Sequence, residues 1–238
     1  MKKLAIAVST AMIAMGSAQA AEDVWTGSAE LGLILTTGNT ETQSTSGKLD
    51  FHNERDKWRH TINLAALQID DNKADSTIAE KYSAKGKSAY KFSDLDYAFA
   101  ELAGEHDKFS GYDYSASLVA GYGRKLMNKA DMRLDVEAGP GFRRIKPDTE
   151  EAVNEAVAQI FGKFEWDISK TAMFSQEVSS QYGFDDGLTV SKAVSGLKSQ
   201  INGDLSMKAT LTLRHISDVA PGVEELDTET AVTLVYSF

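Results

Sequence analysis

Val232-Thr233-Leu234-Val235-Tyr236-Ser237-Phe238 ends the sequence. Counted back from Phe238, every second residue is apolar or aromatic: Phe238, Tyr236, Leu234 and Val232. A period of two marks a strand whose two faces meet different surroundings. A strand that stops on an aromatic residue fits a bacterial outer-membrane barrel, whose final strand pairs with the first and whose aromatic end lies in the interfacial girdle. Val232, Leu234, Tyr236 and Phe238 also have the pattern by which the barrel-assembly machinery recognises its clients, so that machinery is an expected partner. An ordinary edge strand is the alternative, and the rest of the chain decides between the two.

At the other end, Met1-Lys2-Lys3 is a positive n-region, Leu4 to Met15 a short apolar stretch and Ala18-Gln19-Ala20 an A-x-A cleavage site. Residues 1–20 therefore read as a secretory signal peptide, and residues 21–238 as the exported domain. The chain has no Cys, so neither a lipoprotein anchor nor a disulfide framework is expected. After Ala20 no apolar run approaches the ~18 residues of a membrane helix. Residence in a membrane then requires a closed barrel, because only helices and barrels satisfy their backbone groups there. The formal net charge is −10, or −12 without the two leader lysines, which argues against nucleic acid as a partner. A mean hydropathy of −0.30 does not argue against a barrel, which shows only alternate residues to lipid.

Apolar alternation recurs about every 18 residues and predicts twelve strands, giving an all-β antiparallel transmembrane barrel. The first is expected over 25–37, with Trp25, Ala29, Leu31, Leu33 and Leu35 on one face, and the third groups His60, Ile62, Leu64 and Ala66. The fourth sets Tyr82, Ala84, Gly86, Ser88, Tyr90 and Phe92 against Lys81, Lys85, Lys87 and Lys91. The fifth is ambiguous, with Ala98, Ala100 and Leu102 outside if Phe99 and Glu101 are inside. The sixth, seventh, eighth and eleventh alternate clearly, whereas the second and tenth are weakly patterned. Aromatic residues gather near strand ends, as at Trp25, Trp58, Tyr90, Phe92, Tyr112, Trp166, Tyr236 and Phe238. With a periplasmic N-terminus, the even-numbered connections are short turns. Four odd-numbered ones, over 70–77, 105–111, 146–155 and 218–227, read as longer outer loops, while the Gly38-Asn39 turn and Asp185-Asp186-Gly187 break the trend by being short. That asymmetry is a barrel's and not a sandwich's.

Trp25-Thr26-Gly27 with Thr36-Thr37-Gly38-Asn39-Thr40 resembles the opening of the salt-induced outer-membrane proteins, the YdiY-like family built on a domain of unknown function. Phe109-Ser110-Gly111-Tyr112-Asp113-Tyr114 and Gly139-Pro140-Gly141-Phe142-Arg143 are similar to its middle motifs, and Asp227-Thr228-Glu229-Thr230 with Leu234 to Phe238 to its end. The resemblance spans the exported domain. It implies a barrel in the outer membrane of a Gram-negative bacterium, in contact with its lipid and with an abundance that responds to salt. It brings no catalytic residue, cofactor or substrate.

The residues themselves carry little chemistry. His52, His60, His106 and His215 lack the spacing of a zinc site, so no metal is expected. Gly139-Pro140-Gly141 lacks the Lys and helix of a phosphate loop, and reads as a point of bending or close packing. Residues 70–75 lack the central Gly and distal Glu of a calcium loop. His215 and Ser217 share a strand face, the one feature pointing to an outer-membrane phospholipase, but no third group orients them in the sequence. No enzymatic activity is expected.

The inward faces hold the candidate site. Lys81, Lys85, Lys87 and Lys91 form a basic ladder, and Asp135, Glu137, Arg143, Lys163, Glu165 and Arg214 are expected to line the same lumen. Two outcomes stay open: the charges pair and fill a structural barrel, or they line a narrow path for anionic and small polar solutes. A soluble periplasmic barrel that binds a ligand is the competing class.

Overall fold

The computed structural model describes residues 25–36, 42–71, 76–107, 112–147, 151–185, 187–217 and 225–238. The proposed leader, the Gly38-Asn39 turn and most of the acidic 70–75 segment lie outside the described residues. Twelve strands follow in order: β1 Trp25–Thr36, β2 Thr42–Glu54, β3 Trp58–Asp71, β4 Ser76–Lys91, β5 Asp96–Asp107 and β6 Tyr112–Asn128, then β7 Met132–Pro147, β8 Val153–Asp167, β9 Ala172–Gly183, β10 Thr189–Asn202, β11 Leu205–Ile216 and β12 Leu226–Ser237. Each pairs antiparallel with its neighbours in sequence, and β12 pairs with β1 to close the barrel. The seam runs through Ser28↔Ser237, Ala29↔Tyr236, Glu30↔Val235 and Leu31↔Leu234. Gly27 and Phe238 then exchange both backbone hydrogen bonds, at 2.8 and 2.9 Å. Closure leaves no unpaired edge.

The polarity of the barrel is inverted relative to a soluble protein. Leu102, Leu118, Phe142, Ile160, Val232 and Leu234 point outward and are each more than half exposed. Glu30, Glu101, Glu137, Arg143, Gln159 and Arg214 point inward and are buried. A water-soluble ligand-binding barrel would put the apolar face inside, so this exterior is built for hydrocarbon. The ambiguity at β5 resolves accordingly: Tyr97, Phe99 and Glu101 are buried inside, and Ala98, Ala100 and Leu102 are exposed outside.

Aromatic side chains mark the edges of the apolar band. Trp58 meets Tyr90 edge-on and stacks on His60, and Phe92 stacks on Tyr122. Near the opposite edge Tyr82 stacks on His106, and Tyr182 meets Phe184. Tyr82 and Tyr90, Tyr114 and Tyr122, and Phe174 and Tyr182 are each eight residues apart. Eight residues rise about 27 Å along a strand, which a tilt of about 40° projects to about 21 Å, close to the ~25 Å apolar band of outer-membrane barrels.

The connections are less unequal than the sequence implies. Five turns at one end (the turn end) span two to four residues, while those at the other (the loop end) span four to nine. Strands β3, β4, β5, β7 and β8 run on into segments that read as outer loops, which places Glu105, Lys146 and Glu155 inside strands. The strands are 12 to 17 residues long, more than the ~9–11 that cross a bilayer, and ladder pairing continues in water where side-chain polarity no longer matters.

Two details set the lumen. Gly121 on β6 and Gly139 on β7 bring their backbones so close that a Cβ on either would strike the opposite carbonyl of Ala138 or Ala120. This is the close packing expected of Gly139-Pro140-Gly141. Inside, Ala89, Tyr97, Phe99 and Val119 form an apolar cluster on the β4–β6 wall. Ile145 and Ile216, backed by Leu188 and Val190, form another at the loop end.

Candidate functional site: the charged lumen

The inward positions of successive strands arrange their charges in tiers. At the turn end Lys91 bonds Glu54 at 2.6 Å and the carbonyl of Arg55 at 2.5 Å. Arg133 bridges Glu165 and Asp167 at 3.1 and 3.0 Å. Arg59 reaches from β3 to Asp135 on β7, at 3.2 Å, with its guanidinium 4.6 Å over the Tyr97 ring. The Lys91–Glu54 and Arg59–Asp135 bonds hold strands that share no ladder.

In the middle of the barrel, Lys87 lies between Glu101 at 3.0 Å and Glu137 at 2.5 Å. The Tyr97 hydroxyl donates to Glu137 and the Gln159 amide to Glu101, so both carboxylates are taken up. Around the ring, Lys48 pairs with Asp50 at 2.9 Å, Lys208 with Glu30 at 2.8 Å, and Lys163 with Glu165 at 3.0 Å and Glu177 at 3.6 Å.

Nearer the loop end, Arg214 on β11 contacts Glu105 on β5 at 2.6 Å and Asp107 at 3.4 Å. Lys81 completes the group, 3.2 Å from Asp107. In the twelve-strand ring β5 and β11 are six strands apart, so this group bars the lumen from wall to wall. Above it Arg143 and Glu155 form a buried pair at 2.5 Å, and Arg143 also donates to the Leu188 carbonyl.

The lumen is not uniformly filled. Glu101 and Glu137 on the β5–β7 side have side chains less than a tenth exposed, whereas Lys48 on β2, Lys163 on β8 and Glu177 on β9 are each about a third exposed or more. One side is packed by Tyr97, Phe99 and Val119, and the other is wet.

Every lumen candidate read from the sequence therefore points inward: Lys81, Lys85, Lys87, Lys91, Asp135, Glu137, Arg143, Lys163, Glu165 and Arg214. All but Lys85 appear in ion pairs, and Lys85 lies 5.8 Å over the Phe161 ring. Sequence reasoning missed Lys48, Arg59, Glu105 and Lys192. Lys192 sits on β10, whose inward side mixes Val190, Lys192, Val194, Gly196 and Lys198 while its outward side carries Ser191 and Ser195. The faces do not contrast there, but the phase inherited from β9 and β11 would have located it.

The remaining histidines are accounted for by their neighbours. His60 stacks on Trp58 and bonds Ser88 on the outer face. His215 faces Glu225 at 3.6 Å, while the Ser217 hydroxyl accepts the Thr189 N–H at 2.9 Å. Among the described residues no His, Asp and Glu group is placed to hold a metal ion.

Comparison with known proteins agrees with this architecture. The chain is 26% identical over 226 residues to the uncharacterized protein YdiY of Escherichia coli (strain K12), covering 94% of this chain and 87% of that protein. Among solved structures, the NanC porin aligns with a TM-score of 0.55 at 10% identity, over 90% of this chain and 98% of its own. An outer-membrane channel from Pseudomonas putida F1 aligns with a TM-score of 0.51 at 10% identity, over 94% and 98%. The fold is thus that of outer-membrane porins and channels. A family profile matches residues 29–238, and the chain belongs to that family, described as protein of unknown function, DUF481.

Proposed function

We propose that this protein is an outer-membrane barrel, with its short turns in the periplasm, that offers a narrow aqueous path to small anionic and polar solutes. One observation carries the reading: the wet side of the lumen is lined by Lys48, Lys163, Lys192 and Lys208, with Lys85 facing them. Rings of cationic side chains lower the barrier to anions. The likeness to a porin and a channel supports a conduit fold and names no solute. Val232, Leu234, Tyr236 and Phe238 are exposed on the outer face of β12, where the assembly machinery would read them. The salt response implied by the family resemblance concerns abundance, and immunoblots across osmolarity test it.

The second reading, a closed structural barrel, is favoured by the Arg214–Glu105 contact between opposite walls. Planar-bilayer recording of the refolded protein under a KCl gradient separates the two. The conduit reading expects small unitary steps with a reversal potential of anion-selective sign. Silent membranes leave the structural barrel. Release of the protein by osmotic shock, rather than with the membrane fraction, overturns both.

A further inference from the structure

Lys85 and Lys192 differ from the other charges at mid-lumen. Among the described residues, neither has a carboxylate within ion-pair distance, whereas Lys48, Lys81, Lys87, Lys163, Lys208 and Arg214 each have at least one. The topology puts them on opposite walls, since β4 and β10 are six strands apart in the closed ring. Both sit just beneath the bar. Lys192 is the cross-strand partner of Arg214, and Lys85 lies two pleats below Lys81.

Phe161 joins them. It shares a row with Lys192, through Lys192↔Ser179 and Ser179↔Phe161, and its ring is reached from across the lumen by Lys87 at 4.5 Å and by Lys85 at 5.8 Å. Lys85 and Lys192 feel one another's charge beneath a bar that is already neutralised, and the carboxylates that act on them from a distance, Glu101 and Glu177 on Lys85 and Glu105 on Lys192, are each within ion-pair distance of another cation. Below them Glu101 and Glu137 are bound by Lys87, Gln159 and Tyr97. A further carboxylate in this space would give Lys85 and Lys192 the direct ion-pair contact that Lys48, Lys87, Lys163 and Lys208 have.

We propose that Lys85 and Lys192, with Ser179 as an added hydroxyl donor beside Phe161, bind one small oxyanion carrying phosphate or carboxylate groups. Two lysines on opposite walls favour an anion with two charges to share, because each ammonium donates a charge-assisted bond to a different oxygen. Chloride offers one centre and satisfies only one wall. Placed midway along the lumen, the site would make passage saturable and select oxyanions over halide. This deepens the conduit reading above without needing transport for its own test.

Equilibrium dialysis of the refolded barrel against radiolabelled inorganic phosphate tests it, with heat-modifiable migration reporting folding for every variant. The expected result is one saturable phosphate site, displaced by succinate and not by equimolar chloride. Lys85→Gln and Lys192→Gln should each raise the half-saturating concentration about tenfold, the loss expected of one charge-assisted hydrogen bond. Lys85→Arg and Lys192→Arg should retain binding, and Lys129→Gln in the exposed β6–β7 turn should leave it unchanged. Folded Gln variants that bind phosphate as the parent does, or a folded parent with no saturable binding, overturn the proposal. A barrel that binds phosphate through these lysines yet passes no current keeps the site and refutes the conduit. One that conducts without lysine-dependent binding does the reverse.

Discussion

Arg143 and Glu155 are the most thoroughly buried ion pair among the described residues, with side chains 1% and 3% exposed. Nε and Nη2 of Arg143 both donate to one oxygen of Glu155, and Nη2 also donates to the Leu188 carbonyl, so β7 and β8 are tied to the start of β10. Removing either partner leaves a charge without compensation away from water. Arg143→Met or Glu155→Gln alone should destabilise the barrel by about 3–5 kcal/mol, whereas the double replacement Arg143→Met with Glu155→Leu should recover most of that loss. Urea titration followed by heat-modifiable migration measures this, and equal losses in single and double variants would contradict it. The exposed pairs behave differently: Lys146 and Asp113 are each about two-fifths exposed, and separating them should shift stability by less than about 1 kcal/mol.

Strand closure and strand contact are properties of whole elements. Gly27 accepts the ring of Phe238 so closely that an added Cβ would lie 2.8 Å from two of its atoms and 2.8 Å from the Asp50 carbonyl. Gly27→Val should therefore splay the β1–β12 seam and reduce the heat-resistant folded fraction after refolding. Deleting Phe238 should act in the same direction through the two backbone bonds it shares with Gly27, and full folding yield in both variants would rule out this account. How far the elements were legible follows from the same physics. Where one face meets hydrocarbon and the other a charged lumen, as along β4, β6, β7 and β11, the period of two is unmistakable and strand, face and register follow. On β10 the outer face holds the bonded pairs Ser180–Ser191 and Gln176–Ser195 shared with β9, so polarity does not alternate and Lys192 went unseen. Strand ends were missed for a different reason. Beyond the apolar band both faces are wet, so Glu105 and Glu155 look like loop residues although their backbones stay in the ladder. Which inward charge meets which partner across the lumen depends on barrel stagger, which no single strand encodes.

For the molecule as a whole, the decisive question is what the bar between β5 and β11 does to the path beneath it. Arg214 and Glu105 span walls that share no hydrogen bonds, and Lys81 and Asp107 extend the group along the β4–β5 wall. The Arg214 and Glu105 side chains are 10% and 22% exposed, so water reaches the bar without dissolving it. Shortening Arg214 to Ser removes the spanning side chain while Lys81 stays to meet Glu105 and Asp107. If the bar is the narrowest point, Arg214→Ser should enlarge unitary conductance while preserving anion selectivity, since Lys85, Lys163 and Lys192 lie below it. Raising the ionic strength should shrink the difference between parent and variant, because a salt bridge that water reaches is screened over the ~3 Å Debye length of 1 M salt. Unchanged steps in the variant would move the constriction to the apolar contact of Ile145 with Ile216 at the loop end. In that case Ile216→Ala, not Arg214→Ser, is the substitution that widens the path, and the bar is a brace between the β5 and β11 walls.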